Sequence, residues 1–299
     1  MDELNTNGLL HRRSELAALG VDDRMIATRR RAGALQTVRR GRYADAKAAA
    51  RLAERDRHLL EVRAALSRVK PGARAAKESA ALLLGGSIFG RPGAVHLVRE
   101  DGRPARYPGL IVARAFLPRH HCTSVDDTPT TSAARTVADV ARSRPLPQAL
   151  VVADSLLRAG GCSRDEVGTT LQECVRWPGA RGAAVVVAHA DARSDNAFES
   201  YSRGLMIVHS IDLPELQVWV QGADGRWYRV DFLWRRQMLI GEADGKVKYK
   251  VGEDLLEEKR RQESLARRGF QFIRWDWREA VHDDVGLARR WRRRLAELS

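Results

Sequence analysis

Apolar positions in the first 32 residues fall into two short helical repeats separated by a glycine. Leu16 and Leu19 are the apolar positions of the first repeat, and Gly20 follows as a helix-ending residue. Met25 and Ile26 are the inward positions of the second repeat. A short helix, a glycine-centred turn and a second helix predict a helix-turn-helix.

The segment after these helices has the alternation of a small β-wing, from Leu35 through Val38 into residues 39–43. Residues 10–42 contain nine arginines and only three acidic residues. We therefore predict a winged helix-turn-helix that contacts DNA phosphates. The alternative is a structural helical cap with a solvated basic face. The predicted DNA contacts are Arg24, Arg29, Arg30, Arg31, Arg39, Arg40 and Arg42.

The remaining pattern divides the chain further. Residues 45–70 form an alanine-rich, charged helical connector that ends at Pro71-Gly72. Residues 71–190 mix helices with short strands and show no catalytic constellation. All seven tryptophans lie at or beyond Trp177, and strand alternation starts at Leu216. We predict domains at 1–70, 71–190 and 191–299, in an α/β chain that is α+β overall.

Composition places the chain among globular proteins, with 44% hydrophobic and 30% charged residues in 299. No apolar run approaches the ~20 residues that cross a bilayer, and the N-terminus lacks a signal-peptide layout. These features predict a cytoplasmic protein that does not contact membranes. The net charge of +14 favours a polyanionic partner, although an arginine-rich coding bias would also produce it.

Candidate chemistry lies in a predicted hairpin with Arg236 and Gln237 at its turn. That turn pairs Trp234 with Leu239, Leu233 with Ile240, and Asp231 with Glu242. Two carboxylates side by side are unfavourable unless a cation lies between them.

Further charged residues extend this acidic face. The two-residue period of a strand places Asp244 beside Glu242, and Lys246 follows if the strand continues. Upstream, Ser194 or Asp195 can cap a helix that carries Glu199. Clustered carboxylate oxygens suit Mg²⁺ or Mn²⁺, ions that in nucleases polarise a phosphodiester. The alternative is that the hairpin acids are solvent-face charges and Asp244-Gly245 is a turn.

The order of these residues resembles a known superfamily. An acid on a helix, then the run 229–232 (Arg-Val-Asp-Phe), then Ile240-x-Glu242-x-Asp244-Gly245 is similar to PD-(D/E)XK nucleases, in particular to the Vsr-like endonuclease branch. Residues 257–275 match the closing helix and strand of that domain. Residues 39–43 and the helix 131–142 resemble proteins with an AbiEi-family antitoxin N-terminus.

The resemblance implies a restriction-endonuclease-like mixed sheet flanked by helices in the C-terminal domain. It implies metal-binding and catalytic roles for Asp231 and Glu242, with Glu199 as the helix acid. Asp244 occupies the usual lysine position, and whether Lys246 or Lys248 replaces that lysine stays open. The predicted catalytic set is Glu199, Asp231, Glu242, Asp244 and Lys246.

Two functions follow. The first is a DNA-binding, Mg²⁺-dependent deoxyribonuclease or nuclease-like protein. The second is a non-enzymatic repressor or antitoxin of a type IV toxin–antitoxin system, with a degenerate nuclease fold and with an operator site and a cognate toxin as partners. The sequence leaves the recognised DNA and the oligomeric state open.

Overall fold

The computed structural model of the protein describes residues 6–174, 176–244 and 253–299. The chain forms two compact units, Met1–Val140 and Ala141–Ser299. Helices and both antiparallel and mixed sheets are present, so the α/β class that the sequence predicts is confirmed. No described helix has the length and apolar character needed to cross a membrane.

The first unit combines short helices with short strands. Its helices are α1 (Arg13–Ala18), α2 (Asp23–Arg31), α3 (Ala46–Arg51), α4 (Glu54–Leu66), α5 (Lys77–Leu83) and α6 (Ala133–Ala141), the last of which ends one residue inside the second unit. Its strands are β1 (His11–Arg12), β2 (Leu35–Arg39), β3 (Arg42–Asp45), β4 (Arg74–Ala75), β5 (Val95–Arg99), β6 (Ala105–Tyr107), β7 (Leu110–Arg114), β8 (Cys122–Val125) and β9 (Thr128–Thr131).

The two predicted N-terminal helices are present as α1 and α2. Asp22 caps α2 by accepting a hydrogen bond from the backbone N–H of Met25 at 2.7 Å. Ile26 is buried with Leu16, as predicted. The inward placement of Met25 is wrong, because its side chain is 41% exposed. Leu19 is also exposed, since α1 ends before it.

Strands β1, β3 and β2 form an antiparallel sheet in that order. Gly41 lies in the tight β2–β3 turn with φ of +73°, a backbone angle that side chains with a Cβ rarely adopt. The strand pair predicted for residues 35–43 is therefore present, and its role as a DNA-binding wing stays a prediction. A mixed sheet with strand order β6-β7-β5-β4-β9-β8 follows along the chain.

Helix α6 contains a buried ion pair. Arg135 donates its Nε to Asp139 Oδ2 at 2.8 Å and its Nη1 to the carbonyl of Phe116 at 3.0 Å. Both charged residues are buried. A charge that is removed from water needs such partners. Arg135 and Asp139 of the motif at residues 131–142 therefore have a structural role within the first unit.

The second unit is built around another sheet. Its helices are α7 (Leu146–Arg158), α8 (Arg164–Glu173), α9 (Ala180–His189), α10 (Ala197–Val208), α11 (Glu253–Arg267), α12 (Trp277–His282) and α13 (Asp284–Glu297). Its strands are β10 (Glu215–Gln221), β11 (Trp227–Trp234), β12 (Leu239–Asp244) and β13 (Gln271–Asp276).

The sheet order is β10-β11-β12-β13. The first two pairings are antiparallel, and β12 pairs with β13 in parallel through the crossover helix α11. Phe232, Trp275 and Trp291 belong to a core cluster that also includes residues of α10 and α13. Leu233 packs in a separate cluster with Leu265 of α11. Helices therefore cover both faces of the mixed sheet.

The unit boundary at residues 140 and 141 differs from the domain boundaries at 70 and 190 that the sequence suggested. Helix α7 packs against α10, where Gly204 approaches Pro147 so closely that an added Cβ would lie 2.4 Å from the Pro147 Cα. Arg203 of α10 also pairs with the buried Asp154 of α7 at 2.6 Å. These contacts tie residues 146–158 to the C-terminal sheet domain, and the sequence pattern gave no sign of this.

Candidate functional site

The site is centred on the β11–β12 hairpin. The predicted register is confirmed, with the pairs Trp234 to Leu239 and Leu233 to Ile240. The Met238 N–H donates to the Arg235 carbonyl at 3.2 Å, which places residues 236–237 at the centre of the turn, as predicted.

A glycine allows two indole rings to approach the second strand. A Cβ on Gly241 would lie 2.8 Å from Cζ3 of Trp234 and 3.0 Å from Cη2 of Trp275. A residue with a Cβ would therefore force these rings or the strand to shift. Gly241 thereby fixes the packing immediately before Glu242.

Asp231 and Glu242 come next to the last paired residues of the hairpin. Asp231 is half-buried, and Glu242 is only 7% exposed. Burial raises the pKa of the Asp231 carboxyl, and the charge of Glu242 raises this pKa further. A hydrogen bond from the Ala243 backbone acts in the opposite direction. The two acids therefore interact, and the alternative of solvent-face charges is wrong for Glu242.

Glu199 approaches Asp231 from helix α10. The helix begins after Asn196, whose side-chain oxygen accepts from the N–H groups of Phe198 at 2.9 Å and Glu199 at 3.0 Å. The predicted cap at Ser194 or Asp195 is therefore wrong by one or two residues. Asparagine at this position satisfies two of the free N–H groups of the first turn.

Glu199 is only 3% exposed, and its carboxyl interacts with the negative charge of Asp231. Burial, and then the charge of Asp231, raise the pKa of Glu199 to about 7. The backbone N–H of Asp195 donates to Glu199 Oε2 at 2.8 Å, and the Asn196 side chain donates to Oε1. These donors stabilise the ionised form and offset part of the burial.

Gln217 connects Glu199 and Asp231, and no pattern in the sequence indicated this role. It lies in β10 between the paired residues Leu216 and Val218, and it has φ of +52°. Its Nε2 donates to Glu199 Oε2 at 2.9 Å, and its amide also hydrogen-bonds the Asp231 carboxylate. A left-handed backbone conformation within a strand is strained, and such strain often marks a functional residue. This mark is visible only in the structure.

Glu242 is held by two arginines that the sequence analysis also missed. Arg261 of α11 donates to Oε1 at 2.8 Å, and Arg274 of β13 donates to Oε2 at 2.5 Å. Arg274 is the parallel-strand partner of Glu242 in the register. Both arginines also contact Glu258. The second acid of the hairpin thus has counter-charge from the protein itself.

The remaining predicted residues have different outcomes. Asp244 ends β12 with an exposed side chain. Burial lowers the pKa of Arg274, but the hydrogen bond to Glu242 and the negative charges of Glu242 and Asp244 raise it above its ordinary value. Lys246 and Lys248 lie outside the described residues. The lysine position therefore stays a prediction.

The carboxylates of this site have the chemistry of divalent-ion ligands. Asp231 interacts electrostatically with both Glu199 and Glu242, so negative charge is concentrated on oxygen ligands of the kind that Mg²⁺ prefers. In the described part of the chain, however, no choice of one oxygen from each acid brings all three within 4.8 Å. The residue types are those that Mg²⁺ prefers, but the three acids, as the structure describes them, do not converge on one ion-sized point.

The predicted DNA-binding arginines divide into two groups. Arg42 donates to the Ser67 side chain at 2.5 Å and to the Ser67 carbonyl at 2.7 Å, and Arg39 donates to the Gly109 carbonyl at 2.7 Å. Both are half-buried, so part of their donor capacity is used within the protein. The exposed members are Arg24, Arg29, Arg30, Arg31 and Arg40.

The fold and the site define an α/β protein with a buried carboxylate cluster on a mixed sheet. The chain is 31% identical over 193 residues to two curated Mycobacterium tuberculosis proteins, Uncharacterized protein MT2308 of strain CDC 1551 / Oshkosh and Uncharacterized protein Rv2248 of strain ATCC 25618 / H37Rv. The alignment covers 64% of this chain and 68% of each relative. The chain therefore belongs to the family of these mycobacterial proteins.

No family model matches the chain. Among solved structures, it is similar to the crystal structure of the RV2827C protein from Mycobacterium tuberculosis, with 17% identity and a TM-score of 0.40. That similarity covers 72% of this chain and 86% of the other. At this level it carries no argument about fold or function.

Proposed function

We propose that this chain is a DNA-binding protein whose C-terminal unit hydrolyses DNA phosphodiesters with a divalent metal ion. The observation that carries the proposal is the interaction of Asp231 with both Glu199 and Glu242, at a site where burial already disfavours negative charge. Such a cluster is stabilised by binding a cation. The mixed sheet flanked by helices supports the proposal, since the resemblance to PD-(D/E)XK nucleases implies that architecture.

In the proposed mechanism Asp231 and Glu242 hold the ion, and Glu199 completes the set from α10. Mg²⁺ or Mn²⁺, when bound, supplies polarisation of the phosphodiester and neutralises the charge that develops on it. Gln217 orients the Glu199 and Asp231 carboxylates through its side-chain amide. The guanidinium groups of Arg261 and Arg274 lie beside the cluster and can bind phosphate oxygens once they release Glu242.

The N-terminal arginines supply the proposed DNA contacts. The exposed residues Arg29, Arg30 and Arg31 lie in the last turn of α2, and Arg40 lies in the β2–β3 turn. Cations concentrated in this way gain affinity for DNA by releasing condensed counterions. This part of the proposal predicts binding that weakens steeply with salt.

The test is cleavage of plasmid DNA by the full chain with Mg²⁺ or Mn²⁺. We expect Asp231→Asn and Glu242→Gln to lower the rate by about 10²-fold or more, because a ligand charge at the reacting phosphate contributes several kcal/mol to transition-state stabilisation. Glu215→Gln is the matched control, since Glu215 is an exposed acid of the same sheet that pairs with Arg235. Equal cleavage by all three variants, or no metal-dependent cleavage by the wild type, contradicts the proposal.

A second function is favoured by one specific observation, the pairing of both Glu242 oxygens with Arg261 and Arg274. Guanidinium groups in this position can replace a metal ion, and Asp244 occupies the usual lysine position. The chain would then be a non-enzymatic DNA-binding regulator of the antitoxin type, which recognises an operator site through its N-terminal arginines.

The regulator predicts DNA binding without metal and no hydrolysis. We expect binding of the DNA upstream of its own gene in EDTA, weakened by salt and by Arg30→Ala. Arg12→Ala is the control, since Arg12 interacts with Glu15 within the protein. A gel-shift measurement with no preference for this DNA over unrelated DNA contradicts the regulator.

A further inference from the structure

The first unit contains a cavity for which the sequence suggested no role. It lies between β2, the end of α4 and strands β5, β6 and β7, and its volume is about 580 Å³. Pockets of this size accommodate small organic ligands. The cavity is far in sequence from the acidic cluster and shares no residue with it.

The charges that line the cavity are all positive among the residues that the structure describes. They belong to Arg39, Arg40, Arg68, Lys70, Arg99 and Arg103. Arg99 pairs with Asp101 at 2.7 Å. Within the described ranges the other five have no carboxylate at ion-pair distance, and Arg68 instead donates to the carbonyl of Arg40 at 2.8 Å. The cavity therefore has a surplus of positive charge.

Arg39, which lines the cavity, has one guanidinium donor left without a hydrogen-bond partner among the described residues. Its Nε is buried without a hydrogen-bond partner in the described structure, although its Nη2 donates to Gly109. Burial lowers the pKa of Arg39, Arg68 lowers it further, and Glu61 opposes these effects. Buried donors of a guanidinium group are normally satisfied. Because this atom has almost no solvent-accessible surface, an acceptor in the cavity would reach it only after the Arg39 side chain moves.

The other part of the lining is apolar. Ala65, Val69, Leu110 and Val112 contribute aliphatic surface, and Tyr107 adds a ring that is 59% exposed. A bare inorganic anion would leave this surface unused. A ligand that combines a charged group with a flat or apolar body would use both parts.

We infer that this cavity binds a phosphorylated ligand of nucleotide size, with its phosphate on Arg39, Arg40 and Arg103 and its base against the apolar wall and Tyr107. The site goes beyond the proposed function, because neither hydrolysis nor the arginines of α2 are needed for it. The phosphorylated group can come from a free nucleotide or from the 5′ end of a nucleic acid strand.

Isothermal titration calorimetry on the full chain in EDTA tests the inference with ADP, with a 5′-phosphorylated tetranucleotide, with the same tetranucleotide lacking the phosphate, and with pyrophosphate. The EDTA removes metal-dependent binding at the acidic cluster. Tighter binding of ADP than of the phosphorylated tetranucleotide supports a free nucleotide as the ligand. Tighter binding of the phosphorylated tetranucleotide than of its unphosphorylated form and of ADP supports a strand end.

The matched variants are Arg103→Glu, which changes the lining, and Arg106→Glu, which makes the same charge change in β6 outside the lining. We expect Arg103→Glu to weaken the preferred ligand by about tenfold or more, as for the loss of one charge-assisted hydrogen bond, and Arg106→Glu to weaken it by less than about twofold. Lys70→Glu is a second lining variant with an exposed side chain, and it should behave like Arg103→Glu.

Three outcomes overturn the inference. One is the absence of binding by ADP and by the phosphorylated tetranucleotide. Another is an equal effect of Arg103→Glu and Arg106→Glu, which would show general charge attraction. The third is binding of pyrophosphate as tight as that of ADP, which would show that the apolar wall is not used.

Discussion

Arg274 and Glu242 are neighbours across the parallel strands β13 and β12, and the Arg274 Nε donates to Glu242 Oε2 at 2.5 Å. The strand that closes the sheet therefore supplies counter-charge to the second acid of the hairpin. The proposed metal binding at Glu242 would compete with this pairing for the same oxygen. This competition can be measured.

We predict that Arg274→Gln destabilises the metal-free protein by about 1–3 kcal/mol, because it removes one donor from a carboxylate that is almost completely buried. Mg²⁺ should then raise the melting temperature of the variant more than that of the wild type. The measurement is thermal unfolding with EDTA and with Mg²⁺. Arg235→Gln, which breaks the exposed pair with Glu215, is the control. Equal Mg²⁺ effects in wild type and Arg274→Gln would argue against a metal site at Glu242.

The pH dependence of stability should contain a contribution from Glu199. Its pKa is raised from 4.5 to about 7 in the folded protein, so the folded state holds a proton that the unfolded chain releases between these values. Stability is therefore lost as pH rises from about 4.5 to about 7, by roughly 3 kcal/mol at 1.36 kcal/mol per pKa unit.

The variant that tests this contribution is Glu199→Gln, measured by urea unfolding in EDTA at pH 5 and pH 8. The free energy of unfolding at pH 5 minus that at pH 8 should be smaller in Glu199→Gln than in the wild type by roughly 3 kcal/mol. This holds whatever the absolute stability of the variant. Asp231 still ionises in the variant. Because its pKa is also raised, it continues to lower the folding stability as pH rises. An unchanged difference would mean that Glu199 ionises normally in the folded protein.

Gln217 should matter most when the acids are ionised. We predict that Gln217→Leu lowers the free energy of unfolding by about 1–3 kcal/mol, with a larger loss at pH 8 than at pH 5, because charged carboxylates lose more when a donor is removed. Gln221→Leu is the matched control in the same strand, since its amide donates to the Gly225 carbonyl. A loss that does not depend on pH would indicate a packing role only.

The buried pair between Asp154 and Arg203 should hold α7 against α10. Asp154→Ala leaves Arg203 buried without its carboxylate, so we expect a loss of about 3–5 kcal/mol in chemical unfolding. Glu215→Ala, which breaks an exposed pair, should cost less than about 1 kcal/mol. Comparable effects of the two variants would contradict the assignment of α7 to the core of the C-terminal unit.

Much of the local structure follows from the sequence. The hairpin register was predictable because strand alternation and a turn at residues 236–237 fix which residues face each other. The acids of that hairpin were found for the same reason, whereas the helix carrying Glu199 was found from the polar capping residues that precede it. Smaller errors arose at helix ends, where Asn196 rather than its neighbours caps α10 and where Met25 turns outward. Helix ends depend on single hydrogen bonds and on tertiary packing, and the periodicity of the sequence predicts neither.

The sequence by itself determined the α/β class, the acidic hairpin and the basic N-terminus, because these depend on composition and on contacts between residues close in the chain. Only the tertiary structure decided that Gln217, Arg261 and Arg274 meet the acids, that α7 packs with the C-terminal unit, and that scattered cations surround one cavity. Each of these contacts joins residues distant in sequence. Parallel pairing through a crossover helix and packing between helices leave no periodic signal along the chain.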